Sequence, residues 1–251
     1  MKKSAPKAPR LALIKIFGQV FREWFQNFNT YSKIVLVVAI PVAILTVLQA
    51  DGNTGDFGLT MAFAWSFTII ALVMYATVGP KNNNDKLAGL YSNASGRFLQ
   101  YIGVSIALII MAVPGVAGWL GIIAVLGGSG SGALALLIAG GLGIIISIFL
   151  LVRFGLAQVL TVSQKTSVYK SLKASYNLSK KHFLGMFVGY LIILLGVFLI
   201  ANGIQLVLSI RQNINENIYI NNLVYILEAT VFLPIFYIYQ SKLLKALHGE
   251  G

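Results

Sequence analysis

A chain of 251 residues that is 57% hydrophobic, only 10% charged and has a mean hydropathy of +0.82 is not an ordinary soluble domain, where about a quarter of residues carry charge. Nineteen Lys and Arg against seven Asp and Glu leave a net charge of +12, and because the basic residues lie between long apolar runs they point to a membrane's inner face rather than to nucleic acid. The absence of cysteine excludes a disulfide framework, a thiolate metal site and a cysteine nucleophile.

A crossing needs about 20 apolar residues, and roughly 40 with its share of loop, so about six spans are expected. Residues 1–10, MKKSAPKAPR, are basic and proline-bearing, and are expected to form a disordered cytosolic N-terminus. Over residues 11–30, a step of 100° per residue puts Leu13, Ile14, Ile16, Phe17, Val20, Phe21, Trp24, Phe25 and Phe28 on one half of a helix. Lys15, Gln19, Arg22, Glu23 and Gln26 fall on the other half. This predicts an amphipathic helix lying in the membrane surface, since no soluble domain adjoins it to receive the apolar half.

The first span is expected at residues 31–49, with Pro41 near its middle. It is read as retained, because the long aromatic-bearing stretch before it does not suit a signal peptide and Ala50-Asp51-Gly52 is a poor processing site. The turn-rich DGNTGDFG at 51–58 leads to a second span at 59–78. Residues 79–97 read as a polar loop carrying Lys81, Lys86 and Arg97.

Residues 98–152 then run for 55 positions without a charged side chain, more than one crossing can use. The chain is expected to fold back at Gly127 to Gly132, giving spans at 98–126 and 133–152, with a tilt or kink at Pro114-Gly115. The glycine run fits neither G-x-G-x-x-G nor G-x-x-x-x-G-K-[ST], so it is no phosphate cradle. From Val168 the angular placement groups Val168, Tyr169, Leu172 and Tyr176 on one side, and Lys170, Lys173, Asn177, Lys180 and Lys181 on the other. A second basic surface helix is thus expected to lead into span five at 183–208. An asparagine-rich connection at 211–222, span six at 223–239 and a cytoplasmic tail at 241–251 complete a six-span membrane domain over 31–240.

Lys and Arg are retained on the cytoplasmic side during insertion. Seven lie in the N-terminal region, three in the second loop, six in the fourth and two in the tail, against Arg211 alone on the other side. Both termini are therefore expected inside, and adding or deleting one crossing would strand a basic loop outside. The fold class that follows is all-α: a polytopic membrane protein with six transmembrane helices and two cytoplasmic interfacial helices.

Residues that could carry a function fall into three groups. Lys165, Lys170, Lys173, Lys180 and Lys181, with Arg22 and Trp24 on the first surface helix, could bind lipid head groups or a partner, or could do no more than fix topology. Glu228 is the one ionisable side chain well inside a span, where Asn202 and Gln205 could meet it as an intramembrane polar site; it also lies close enough to the span's start to reach outer head groups instead. Gly185, Gly189, Gly196 and Gly203 form a smooth stripe suited to helix packing, with Gly140, Gly141 and Gly143 of span four as a possible mate, or to homodimerisation. No H-E-x-x-H, no G-x-S-x-G and no histidine within a span argue against hydrolytic or metal chemistry, and no cofactor is expected.

At the entry to span five, Ser171-Leu172-Lys173-Ala174-Ser175-Tyr176-Asn177-Leu178-Ser179-Lys180-Lys181-His182-Phe183 resembles a pattern of small-Leu-basic-x-Ser-aromatic-x-Leu-x-basic-Gly-x-aromatic. That pattern belongs to a group of bacterial six-helix membrane proteins related to the membrane domain fused to some glycerophosphodiester phosphodiesterases. Lys181 stands where glycine is usual, and Ser163-Gln164 where an acidic residue is often found. The resemblance implies a helical membrane fold in a bacterial plasma membrane, and no reaction.

Two functions are expected to compete. One is a non-catalytic protein that organises lipids, including anionic ones, or a membrane complex through its basic inner face, with a membrane-protein partner or a second copy of itself. The other is a small-solute transporter or transporter subunit built around Glu228, with Pro114 and Pro234 breaking helices.

Overall fold

The computed structural model describes residues 13–50, 58–78, 87–127, 133–209 and 218–248. The basic N-terminus, Lys81 and Lys86, most of the glycine-rich turn and Arg211 lie outside these residues. The helices in chain order are α1 (Leu13–Gln26), α2 (Phe28–Ala50), α3 (Gly58–Val78), α4 (Leu87–Ser95), α5 (Phe98–Leu126), α6 (Ala133–Phe154), α7 (Ala157–Gln164), α8 (Val168–Ser209) and α9 (Ile218–Leu247). Six stretches are long and apolar enough to cross a bilayer: Phe28–Leu48, Thr60–Thr77, Phe98–Val125, Ala133–Gln164, Val168–Gly196 and Asn222–Leu247. The chain is an all-α polytopic membrane protein.

The expected spans at 59–78 and 98–126 coincide with α3 and α5 to within a residue. Elsewhere the helices outrun the apolar stretches. A helix costs nothing to extend into the interface, where side chains can be polar while the backbone still bonds to itself. Thus α9 runs on to Leu247, beyond the expected end at 239; within α8 the basic surface helix meets span five, as expected, at a kink where His182 is non-helical (φ −126°, ψ 18°). Two short helices were not expected. In the polar loop before α5, LAGLYSNAS forms α4, and AQVLTVSQ forms α7 with Ala157, Val159, Leu160, Thr161 and Val162 all buried. Both are too short for a clear apolar period.

The helices gather into two compact units. One comprises Leu99–Phe187, that is α5, α6, α7 and the first part of α8. In it α5 and α6 approach at glycine. A Cβ on Gly118 would run into the carbonyl oxygen of Gly140, and one on Gly143 into that of Pro114. In lipid there is no hydrophobic drive between helices, so close backbone approach of this kind is what holds them together. The backbone beside Pro114, where a tilt or kink is expected, is bonded across the same contact. Ser147 Oγ accepts from Gly115 N at 2.6 Å and lies 3.1 Å from the Met111 carbonyl and 3.3 Å from that of Ala112. The hydroxyl is inserted into the ladder that proline interrupts, and α5 stays continuous.

The second unit comprises Leu11–Phe98 and Val188–Gly251. Here α9 packs against α1, α2 and α3, burying Tyr31, Ile34, Ile70, Leu72, Ile238, Tyr239 and Leu243. Ser241 Oγ donates to the Ala76 carbonyl at 2.9 Å. The small helix α4 lies against α3, and Tyr91 OH donates to the Ile34 carbonyl at 2.7 Å.

Candidate functional site

The apolar half of α1 divides into two strips. Ile16 and Val20 are buried, and Phe17 stacks on Tyr239 with ring centroids 5.3 Å apart, so this edge belongs to the protein core. Ile14, Phe21 and Phe25 lie further round and are exposed, Ile14 and Phe25 by 91% and 70%, and Phe28 at the start of α2 is exposed as well. Beyond them lie the exposed Lys15 and Arg22. Trp24 lies edge-on to two of these exposed rings, Phe25 and Phe28, at 4.7 and 5.1 Å. On the polar side, the Glu23 carboxylate accepts from Tyr31 OH at 2.9 Å and pairs with Lys242, fastening α1 to α2 and α9.

The first part of α8 repeats this arrangement with different chemistry. Its buried strip is made of serines: Ser171, Ser175 and Ser179, four residues apart and each fully buried. Ser171 Oγ lies 2.6 Å from both Thr161 Oγ1 and Thr166 Oγ1, and Ser175 and Ser179 donate to the Arg153 carbonyl at 2.9 and 3.1 Å. Tyr169 and Tyr176, grouped with Val168 and Leu172 from the sequence, are turned outward instead, because hydroxyls that satisfy a helix end displace rings from the contact. Next to the tyrosines come Lys170, Lys173, Lys180 and Lys181, all exposed, with Lys173 Nζ 6.0 Å from the Tyr169 ring centre. Lys165, also exposed, caps α7 in a left-handed conformation (φ 52°). In both helices a strip of exposed aromatics separates the core-facing edge from the cations.

Sequence reasoning overlooked Arg153, in the last turn of α6. Its guanidinium carbon lies 5.1 Å from the Phe149 ring centre, 5.3 Å from Tyr176 and 5.0 Å from Phe183. Its Nε and Nη1 atoms are shielded from water and have no hydrogen-bond partner among the described residues. The sequence held a signal: Arg153 is the first charge after the 55-residue uncharged run, and residues 99–187 contain no Asp or Glu.

The proposed intramembrane polar site is described only in part. Glu228 is half-buried on α9, and its Oε1 is shielded and has no partner among the described residues; the side chains of Asn202 and Gln205 lie outside them. In the glycine stripe, a Cβ at Gly189 would strike the Tyr239 hydroxyl, whereas at Gly196 and Gly203 it would meet no atom of the described residues within 4 Å. The expected mates Gly140 and Gly143 pack on Gly118 and Pro114 of α5, and Gly141 faces open space. The α6 glycines serve the hairpin with the neighbouring helix, where a short connection already brings the backbones together.

No family model, no curated protein and no solved structure matches the chain.

Proposed function

We propose that this protein is a non-catalytic multi-pass membrane protein of a bacterial plasma membrane, with both termini cytoplasmic, that gathers anionic lipid at its basic inner face. The observation that carries this reading is the exposure of Lys170, Lys173, Lys180 and Lys181 beside outward-turned Tyr169 and Tyr176, in a unit whose sequence holds no carboxylate to neutralise them. Each lysine near an anionic surface contributes on the order of 1 kcal/mol of attraction, and tyrosines favour the level of the head groups. The exposed Phe21, Phe25 and Arg22 of α1 offer the same combination of an apolar strip and cations. Kinship with the membrane domain fused to some glycerophosphodiester phosphodiesterases is part of this proposal and is supported by the motif at 171–183.

The test uses the full-length protein, equilibrated with mixed micelles of phosphatidylglycerol and phosphatidylcholine in equal amounts, followed by quantification of co-purified lipid. Wild type should retain an excess of phosphatidylglycerol at low ionic strength. Replacing Lys170, Lys173, Lys180 and Lys181 together by Gln should remove most of that excess. Equal retention of the two lipids by wild type would overturn the reading.

A second reading, small-solute transport, is favoured by the shielded Oε1 of Glu228, which has no partner among the described residues. It predicts a solute gradient in proteoliposomes that Glu228→Gln abolishes.

A further inference from the structure

We infer that Arg153 is the anchor of a discrete site for a phosphate oxyanion, in which a lipid head group meets the guanidinium at the end of α6. The inference rests on the lipid-gathering reading and deepens it from a diffuse basic surface to one stoichiometric position.

A guanidinium carries five N–H donors and no acceptor. Nε and Nη1 account for three of those donors, and neither atom has a partner among the described residues. The three surrounding rings attract the positive charge through their faces, but they present no oxygen or nitrogen lone pair to the N–H groups. No carboxylate of the same unit can do so either, since residues 99–187 contain none. The group is therefore electrostatically held and short of acceptors, a state that a planar, forked donor resolves most readily with a phosphate or carboxylate.

The position is also built in advance. Two serine hydroxyls fix the backbone carbonyl of Arg153 against α8, and Phe149, one turn earlier on α6, packs on Phe183 with ring centroids 5.2 Å apart. Phe149 and Tyr176 are 43% and 41% exposed, so two walls of the enclosure reach the surface, where an oxyanion would approach. Lys180 follows Tyr176 by one helical turn on the exposed side of α8 and supplies a second cation at the rim. An isolated surface lysine meets an anion as a screened point charge; a walled guanidinium meets it in low dielectric and through directed hydrogen bonds.

The experiment extends lipid retention by the full-length protein to about 0.5 M salt, where surface attraction is screened. Wild type should keep close to one phosphatidylglycerol per chain, read by native mass spectrometry. Arg153→Gln should lose it about tenfold while the low-salt excess carried by the lysines persists. Arg153→Lys keeps the charge and a long side chain but lacks the fork, so it should also lose the salt-resistant lipid while eluting as wild type on gel filtration; this variant decides if Arg153→Gln misfolds. A parallel arm offers inorganic phosphate in place of lipid. A phosphate adduct that Arg153→Lys removes, without salt-resistant lipid, supports an oxyanion site fed from solution rather than from the leaflet. Neither adduct nor lipid at high salt, or retention unchanged in both variants, overturns the inference, and the rings alone then stabilise the arginine. If wild type shows no anionic preference even at low salt, the broader lipid reading fails as well, so the two failures are distinguishable.

Discussion

Gly118→Ala tests whether backbone contact between α5 and α6 holds their hairpin. The added methyl would press on the Gly140 carbonyl oxygen and lie 3.1 Å from both the carbonyl carbon and the Cα of Gly140. These are backbone atoms with no rotamer to change, so the helices must separate. Overpacking of this kind costs about 1–3 kcal/mol. Alanine returns about 0.5–1 kcal/mol over glycine inside a helix wherever the new methyl has room. Gly141→Ala, one residue along on α6 with nothing within 4 Å of the new Cβ, receives that return and no penalty. The gap between the two variants is therefore the contact itself, about 1–3 kcal/mol. Unfolding in detergent by dodecyl sulfate titration, followed by circular dichroism, measures both. Gly118→Ala should lower the midpoint and Gly141→Ala should leave it level or raise it. Equal midpoints would refute the backbone contact.

Ser147→Ala removes the hydroxyl that accepts from Gly115 N and donates into the turn before Pro114, and should cost about 1–2 kcal/mol in the same titration, while Ser147→Thr, which keeps the hydroxyl, should recover part of it. Lys242→Met alone strands the largely enclosed Glu23 carboxylate and should destabilise more than the double variant Glu23→Gln/Lys242→Met; a double variant no better than the single would refute the pairing. Burial holds the Tyr91 phenol above its ordinary value, with the Thr68 hydroxyl pulling weakly the other way. A raised value in the folded protein means its contribution is complete below about pH 10 and is lost as the pH rises through the folded value, so Tyr91→Phe should flatten the alkaline fall in thermal stability relative to wild type. The chain has no cysteine, so Ser4→Cys and Gly251→Cys should resist a membrane-impermeant thiol reagent in intact cells while Gln212→Cys reacts; the reverse pattern would invert the topology.

Much of the fold was legible because a bilayer imposes a length and a polarity that composition must obey. The uncharged run from 98 to 152 had to make two crossings, and α5 and α6 are those crossings. Hydropathy reports only whether a residue tolerates lipid, and it is silent on which neighbour the residue meets. The sequence therefore could not show that Gly140 belongs to Gly118, that Ser147 bonds to the backbone beside Pro114, or that three serines rather than two tyrosines form the inner edge of α8. The same holds for the candidate site. The lysines were found because charge is visible residue by residue, whereas Arg153 counted only as one cation among six until tertiary packing set it among Phe149, Tyr176 and Phe183, which are brought together from α6 and α8. Solvent preference is a property of single residues and is written along the chain; a partner is a property of pairs, and only the folded structure decides it.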